Sequence, residues 1–235
     1  LLKVELPISS NSEVKVKDSF LSWLDDTEVK LSHRLVGEAK LKDIYVTPDI
    51  QEYDENTERL IDIHSSDTVL ANYEDFIIFG DEQIGKTSLL KYFYIEMLKK
   101  KELCIYLDAK KINNNFDKVL SEGLGLQYDN LSLSEYFSAE KKIILIDDFE
   151  KISLKPKNIG KFIEFLREKS VRMVFLCESN YSYISSDIAC FDKFRKPRLL
   201  ELGHQKREEL IGKWISLGKP ESISSEEENY RQIDL

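Results

Sequence analysis

Between positions 76 and 90 the chain reads Phe-Ile-Ile-Phe-Gly-Asp-Glu-Gln-Ile-Gly-Lys-Thr-Ser-Leu-Leu. This is an apolar run, then G-x-x-x-x-G-K-T, then a helical pattern, and the residue types suit the holding of phosphate. Gly80 and Gly85 let the backbone turn tightly and approach an anion with no Cβ in the way. The N–H groups across Asp81, Glu82, Gln83 and Ile84 can then point inward as an anion nest. A helix starting near Lys86 adds its positive end and unpaired N–H groups as far as Ser88. Lys86 would reach the β- and γ-phosphates of a nucleotide, and the Thr87 hydroxyl would ligate Mg²⁺.

A second stretch supplies acids. Lys141–Glu150 reads Lys-Lys-Ile-Ile-Leu-Ile-Asp-Asp-Phe-Glu, four aliphatics running into carboxylates. Such a run fits a strand buried on both faces of a parallel sheet, and its C-terminal end is where open α/β sheets bind ligands. Asp147 would hold Mg²⁺ through its water shell, and Asp148 or Glu150 would polarise an attacking water. Val171–Asn180 is another buried run with a polar end, where Asn180 or Ser179 could sense a γ-phosphate. Tyr45 and Val46, upstream of the phosphate loop, are the candidates to cover an adenine ring. Arg195 and Arg198, in the basic and aromatic stretch 191–198, are possible phosphate sensors.

These groups need a scaffold that brings strand ends together. Five apolar runs, near 76–79, 103–107, 143–146, 171–177 and 199–202, alternate with helical patterns. The prediction is an α/β fold: a three-layer core with a five-stranded, mostly parallel sheet. Residues 41–203 would form that core, 1–40 an N-terminal lead-in, and 204–235 the start of a helical region with a flexible end beyond Pro220. Within the lead-in Asp18 is placed to cap a short helix. The segment Leu41–Asp49 alternates and is stopped by Pro48. Short helices are expected at 116–120 and 131–137 around a break at Gly123 and Gly125, and an exposed loop at Pro156 before a helix over 159–169.

Composition narrows the function. A chain of 235 residues that is 42% hydrophobic can bury one full α/β core. Its net charge of −9 disfavours nucleic acid as a primary partner. Cys104, Cys177 and Cys190 make no disulfide framework, which fits a reducing, cytoplasmic setting, and His33, His64 and His204 have no zinc spacing. No apolar run approaches a membrane span. The chain begins Leu-Leu-Lys, so it is read as a piece of a longer polypeptide.

The two motifs, the acids after the second one and the fifth strand resemble the additional-acid P-loop ATPases, a group that includes the AAA and STAND (signal-transduction ATPases with numerous domains) families. Within it the chain looks like the bacterial, NLR-like STAND type. That likeness rests on Trp23–Arg34, Asp43–Asp49, the phosphate loop with its helix, Ile146–Glu150, and the Lys-Arg-x-Glu-Leu-Ile-x-x-Trp run within Gly203–Leu217. The resemblance implies ATP and ADP as ligands, Mg²⁺, and slow hydrolysis that resets a nucleotide-driven switch. It also implies homo-oligomerisation on activation, effector and sensor domains outside this chain, and a role in bacterial antiviral defence; the lead-in resembles the junction after a metallophosphatase-like effector. Two departures bear on the site. Several such proteins carry D-G-x-D-E where this chain has D-D-F-E, and many end the fourth strand with arginine where Asn180 stands here. An AAA-type motor or loader acting on nucleic acid, and a non-hydrolysing nucleotide-binding scaffold, are the rival readings.

Overall fold

The computed structural model of the chain describes residues 6–7, 13–53, 60–181 and 189–219. The lead-in holds a small antiparallel pair, β1 (Leu6–Pro7) and β2 (Glu13–Val14), then helix α1 (Asp18–Leu24) and a second pair, β3 (Ser32–His33) and β4 (Gly37–Glu38). Asp18 is the first residue of α1 and Lys17 its cap, so the acid acts on the helix dipole rather than as the cap expected for it. Val14, Val16 and Leu24 are buried in the same hydrophobic cluster as the central strands, which fixes the lead-in against the core.

Leu41–Asp49 departs from the alternating reading. Residues Leu41–Ile44 form a short helix, α2, and the strand begins at its end, with β5 at Asp49–Tyr53. Leu41 and Ile44 are both buried, a helical spacing, and the Asp43 carboxylate accepts the Lys40 N–H at 3.1 Å to start the turn. Then come β6 (Leu60–Ser65), α3 (Asp67–Ala71), β7 (Phe76–Gly80), α4 (Lys86–Lys99) and β8 (Leu103–Asp108).

Helix α5 (Phe116–Gln127) runs unbroken through Gly123 and Gly125. A glycine inside a helix costs about 1 kcal/mol. Here Asn115 caps the helix by accepting the Lys118 N–H at 3.2 Å, and Val119, Leu120 and Leu124 bury one face. Gly123 also permits close approach to the sheet, since a Cβ there would lie 2.6 Å from Leu107 Cδ2. After α6 (Leu133–Ser138) and β9 (Lys142–Asp147), helix α7 spans Pro156–Glu168, with Pro156 as its first residue instead of in a loop. A proline there sacrifices no hydrogen bond, because that N–H has no partner inside a helix. Strands β10 (Arg172–Glu178) and β11 (Arg198–Leu199) and helix α8 (His204–Ser216) complete the described chain. The tail expected after Pro220 lies outside it.

One sheet has the order β6-β5-β11-β7-β10-β9-β8. The five predicted strands, from β11 to β8, are mutually parallel, although the fifth, expected over 199–202, is limited to Arg198–Leu199. The sheet is seven strands wide rather than five, because β5 and β6 extend it as an antiparallel hairpin beside β11. Every residue of β7 and β9 is buried, so both faces of the sheet are covered, as parallel sheets require. Each buried Ile, Leu or Phe contributes about 1.5–3 kcal/mol. At the far border, side chains replace a missing strand. Tyr128 Oη donates to the Cys104 carbonyl at 2.7 Å and meets its N–H at 3.4 Å. The Gln127 amide accepts the Tyr106 N–H at 2.9 Å and donates to the Tyr106 carbonyl at 2.7 Å. The in-register pairs Glu178–Gly80 and Asp108–Asp147 bring the strands' C-terminal ends to one edge.

Candidate phosphate and metal site

The loop joining β7 to α4 has the geometry its glycines allow. Gly85 sits at φ 97°, in the left-handed region, as the N-cap of α4, and no side chain caps that helix. Its first N–H groups are therefore presented to the loop. Gln83 also adopts a positive φ of 61°. A Cβ on Gly80 would come within 2.9 Å of Ile84 Cγ2 and 3.3 Å of Leu199 Cβ, so only glycine fits between the loop and β11. Asp81, Glu82 and Gln83 are exposed, and Ile84 and Ser88 half-buried. A cavity of about 270 Å³ opens beside the loop, lined by Asp81, Glu82, Gln83, Ile84, Glu201 and Leu202. A more open cleft of about 660 Å³, at Asn113–Asp117 and Phe165, shares no lining residue with the loop.

Lys86 is buried, and its ammonium is folded onto the loop's own carbonyls, Gly80 at 2.9 Å and Asp81 at 2.8 Å. Thr87 Oγ1 donates to Asp147 Oδ2 at 2.7 Å, so the two predicted metal-binding residues meet across sixty positions of sequence. Asp147 Oδ1 accepts the Asp148 N–H at 3.1 Å, and Tyr106 Oη reaches Oδ2 at 3.4 Å. Burial pushes the Asp147 carboxyl above its ordinary range, with the Thr87 hydrogen bond opposing. A hydroxyl beside a carboxylate is a hard oxygen donor set and fits Mg²⁺, and the uncapped, glycine-lined loop fits phosphate.

The two acids offered as the base part company. Asp148 has φ 52°, a left-handed backbone that glycine adopts freely and Asp tolerates. Its carboxylate is held by Lys151 at 2.8 Å and Lys110 at 3.4 Å. Partial burial works upward on its pKa, but these two cations prevail and leave it lowered. Glu150 points inward instead. Its Oε2 accepts the Glu178 N–H at 3.1 Å, at the strand end in register with Gly80. Its Oε1 is buried with no hydrogen-bond partner, the Lys151 ammonium standing 3.7 Å away. Glu178, whose N–H Glu150 accepts, is in register with Gly80, whose carbonyl accepts from Lys86, so Glu150 and Lys86 share one neighbourhood.

The remaining predicted residues fall around this centre. Asn180 is exposed on the 3₁₀ turn Ser179–Tyr181 that follows β10. Tyr45 stacks on Tyr92 of α4 at 4.5 Å, and Val46 is buried. Lys213 donates to the Tyr45 carbonyl at 2.6 Å and Lys206 pairs with Asp49 at 2.7 Å, so α8 clamps this segment. Arg195 does not reach the phosphate loop. It bridges to Phe76, at the opposite end of β7, and its guanidinium is paired with Glu52 and with Glu74. Arg198 is exposed and in register with Phe79. Sequence reasoning passed over Tyr106, Lys110 and Lys151. For Tyr106 the available signal was a hydroxyl-bearing ring in an otherwise apolar strand that ends in Asp108.

No protein-family model matches the chain. Protein RecA of Mycoplasmopsis pulmonis (strain UAB CTIP) is 31% identical over 74 residues, which are 32% of this chain and 21% of that protein. The chain therefore matches about a fifth of that relative's length. Among solved structures, AMPPCP-bound DnaA from Aquifex aeolicus superposes with a TM-score of 0.45 and 19% identity, covering 70% of this chain and 53% of that one. Drosophila ORC bound to AT-rich DNA and Cdc6 gives 0.39 and 12%, over 56% and 49%. The P-loop NTPase domain of an E. coli sigma-54 transport activator gives 0.37 and 9%, over 58% and 90%. Among the described residues no helix is long and apolar enough to cross a membrane.

Proposed function

We propose that this chain is an ATP-binding, slowly hydrolysing, Mg²⁺-dependent switch module of a STAND-type signalling or defence protein, whose nucleotide state controls homo-oligomerisation. The observation that carries the nucleotide reading is the 2.7 Å contact of Thr87 with Asp147 at the mouth of a glycine-lined loop whose lysine is buried beside it. Lys86 would exchange its two carbonyl contacts for β- and γ-phosphate oxygens, and the loop N–H groups would hold the rest of the phosphate chain. Thr87 and Asp147 would hold Mg²⁺, which neutralises the charge that develops on the phosphates.

Glu150 is the base in this reading. A base must be within reach and free to take a proton. Asp148 is engaged by two ammonium groups, Lys151 at 2.8 Å and Lys110 at 3.4 Å, whereas Glu150 keeps one buried oxygen with no hydrogen-bond partner, the Lys151 ammonium standing farther off at 3.7 Å. The backbone agrees: Asp148 stands where the resembling D-G-x-D-E pattern carries glycine, and its φ of 52° is a conformation glycine favours. Glu150 then falls on the third of that pattern's acidic and glycine positions, an acid in both.

The switch reading draws on the geometry of positive charge. Phosphoryl transfer gains from an arginine at the γ-phosphate; Arg195 is committed to Glu52 and Glu74 at the other end of β7, and Arg198, in register with Phe79, is exposed and in this reading serves a neighbour's phosphate. Turnover should then depend on a neighbour and stay below about one per second in the monomer, at the low end for enzymes. ATP turnover measured across a protein-concentration series tests this. A rise in specific activity with concentration is expected; fast, concentration-independent turnover overturns the switch. Turnover that is stimulated by DNA and weakened by salt would favour an AAA-type motor, and tight binding with no turnover at any concentration would favour a scaffold.

A further inference from the structure

We infer that Tyr106 is a positioning residue for the metal ligand Asp147 and that it ties this carboxylate to the lead-in helix α1 through Trp23. The inference rests on the reading of Asp147 as a metal ligand. Tyr106 projects from β8, two positions before Asp108, the residue in register with Asp147. Its hydroxyl and that of Thr87 converge on Asp147 Oδ2, while the Asp148 N–H holds Oδ1. A phenol hydroxyl facing a carboxylate oxygen is the donor of the pair. Donors of this kind orient a metal-binding carboxylate, and their loss typically weakens metal affinity about 10–100-fold.

The other side of the Tyr106 ring belongs to the lead-in. Trp23 packs on it at 4.6 Å and Phe20 at 6.5 Å. The same indole is held from below by Lys91, whose ammonium lies 4.5 Å from the ring centre. Lys91 is one helical turn beyond Thr87 on α4 and only 1% exposed. It donates to the Asp26 carbonyl at 2.9 Å and pairs with Glu28 at 3.0 Å, so both of its oxygen partners come from the segment after α1. A buried ammonium needs such partners. The lead-in is therefore anchored on two elements that also carry the metal site: β8 through Tyr106, and α4 through Lys91. A change at Asp147 that moves the Tyr106 hydroxyl reaches Trp23. By linkage, undocking α1 must weaken the metal site by the same factor.

The test uses the whole chain with Trp214→Phe, which leaves Trp23 as the sole tryptophan of the two. A fluorescent ATP analogue is titrated at a series of Mg²⁺ concentrations, and Trp23 emission is followed in parallel with unlabelled ATP. In this parent, Mg²⁺ should tighten nucleotide binding and shift Trp23 emission. Tyr106→Phe should raise the Mg²⁺ concentration for half-maximal effect about tenfold, leave metal-free nucleotide affinity as it was, and abolish the emission shift. Trp23→Leu, which does not touch the carboxylate, should raise the Mg²⁺ requirement in the same direction; it keeps the test open if Tyr106→Phe fails a thermal-melt check of folding. A parent that responds to Mg²⁺ alongside folded variants with unchanged Mg²⁺ dependence overturns the inference alone. A parent with no Mg²⁺-dependent nucleotide binding overturns the metal reading as well.

Discussion

Glu150→Gln should stop hydrolysis while leaving nucleotide binding intact. The substitution is isosteric, and the glutamine carbonyl can still accept the Glu178 N–H that Glu150 Oε2 accepts at 3.1 Å. The group lost is the buried Oε1, which makes no hydrogen bond and stands 3.7 Å from the Lys151 ammonium; in the proposed reading it is the atom that takes the proton. General-base catalysis is worth about a hundred- to ten-thousandfold, or about 3–5 kcal/mol of barrier. Asp148→Asn is the control. It releases Lys151 and Lys110, whose side chains are 41% and 55% exposed, so the lost pairs are worth about 1 kcal/mol at most. Turnover should stay within about threefold of the parent, as for surface substitutions in general. Single-turnover hydrolysis with labelled ATP, at enzyme in excess and saturating Mg²⁺, reads both variants even if the parent is slow. If Asp148→Asn loses more activity than Glu150→Gln, with both still binding ATP, the base assignment is wrong and the lysine clamp on Asp148 must open during the reaction.

Lys86→Ala should lose about ten- to a hundredfold in ATP affinity, since a charge-assisted hydrogen bond contributes about 1.5–3 kcal/mol; equilibrium titration with fluorescent ATP checks it. Asp147→Asn should remove the Mg²⁺ dependence of binding and yet melt higher than the parent near pH 7. Burial raises this carboxyl above its ordinary 3.8, so its ionised form is penalised in the folded chain. The gap should close as the pH falls below 3.8, where folded and unfolded chains are both protonated at this group; melts across pH without nucleotide measure it. Tyr128→Phe should destabilise the fold by about 1–3 kcal/mol, because the buried Cys104 carbonyl and N–H lose their shared partner. Urea unfolding reads that loss, and nucleotide binding by the folded fraction should be unchanged.

What could be read from the sequence follows the range of the interactions. Phe76–Thr87 and Ile143–Asp147 were legible as structure because each encodes its fold locally, as a buried strand feeding a turn. Four of the parallel strands followed from long apolar runs; the fifth, expected over 199–202, pairs only at Arg198–Leu199. The hairpin β5–β6 was hidden because its outer strand exposes Leu60, Ile61 and Ile63 and so lacks the alternation of a half-buried strand. Gly123 and Gly125 read as a break, but the partner that makes Gly123 useful, Leu107, lies on β8. The choice between Asp148 and Glu150 depends on a backbone angle and on Lys110, thirty-eight positions away. Arg195 looked like a phosphate sensor by charge alone; its acids, Glu52 and Glu74, come from segments more than a hundred positions upstream.

The side-chain cover over β8 also limits how this sheet can meet other chains. A strand arriving at that border finds the Cys104 and Tyr106 backbone groups already occupied by Tyr128 and Gln127, and would have to displace four good contacts to gain its own. Lateral addition of a strand is thereby discouraged on the side next to Asp147. The opposite border, β6, is met by neighbouring side chains, the Ile63 N–H by Asp62 Oδ1 at 2.8 Å and the Ser65 carbonyl by the Thr68 hydroxyl at 2.9 Å, yet it displays Leu60, Ile61 and Ile63, the type of edge on which unwanted strand pairing starts. The sheet is thus more firmly closed on the flank next to Asp147 than at β6, so crowding or misassembly should first disturb the β5–β6 hairpin.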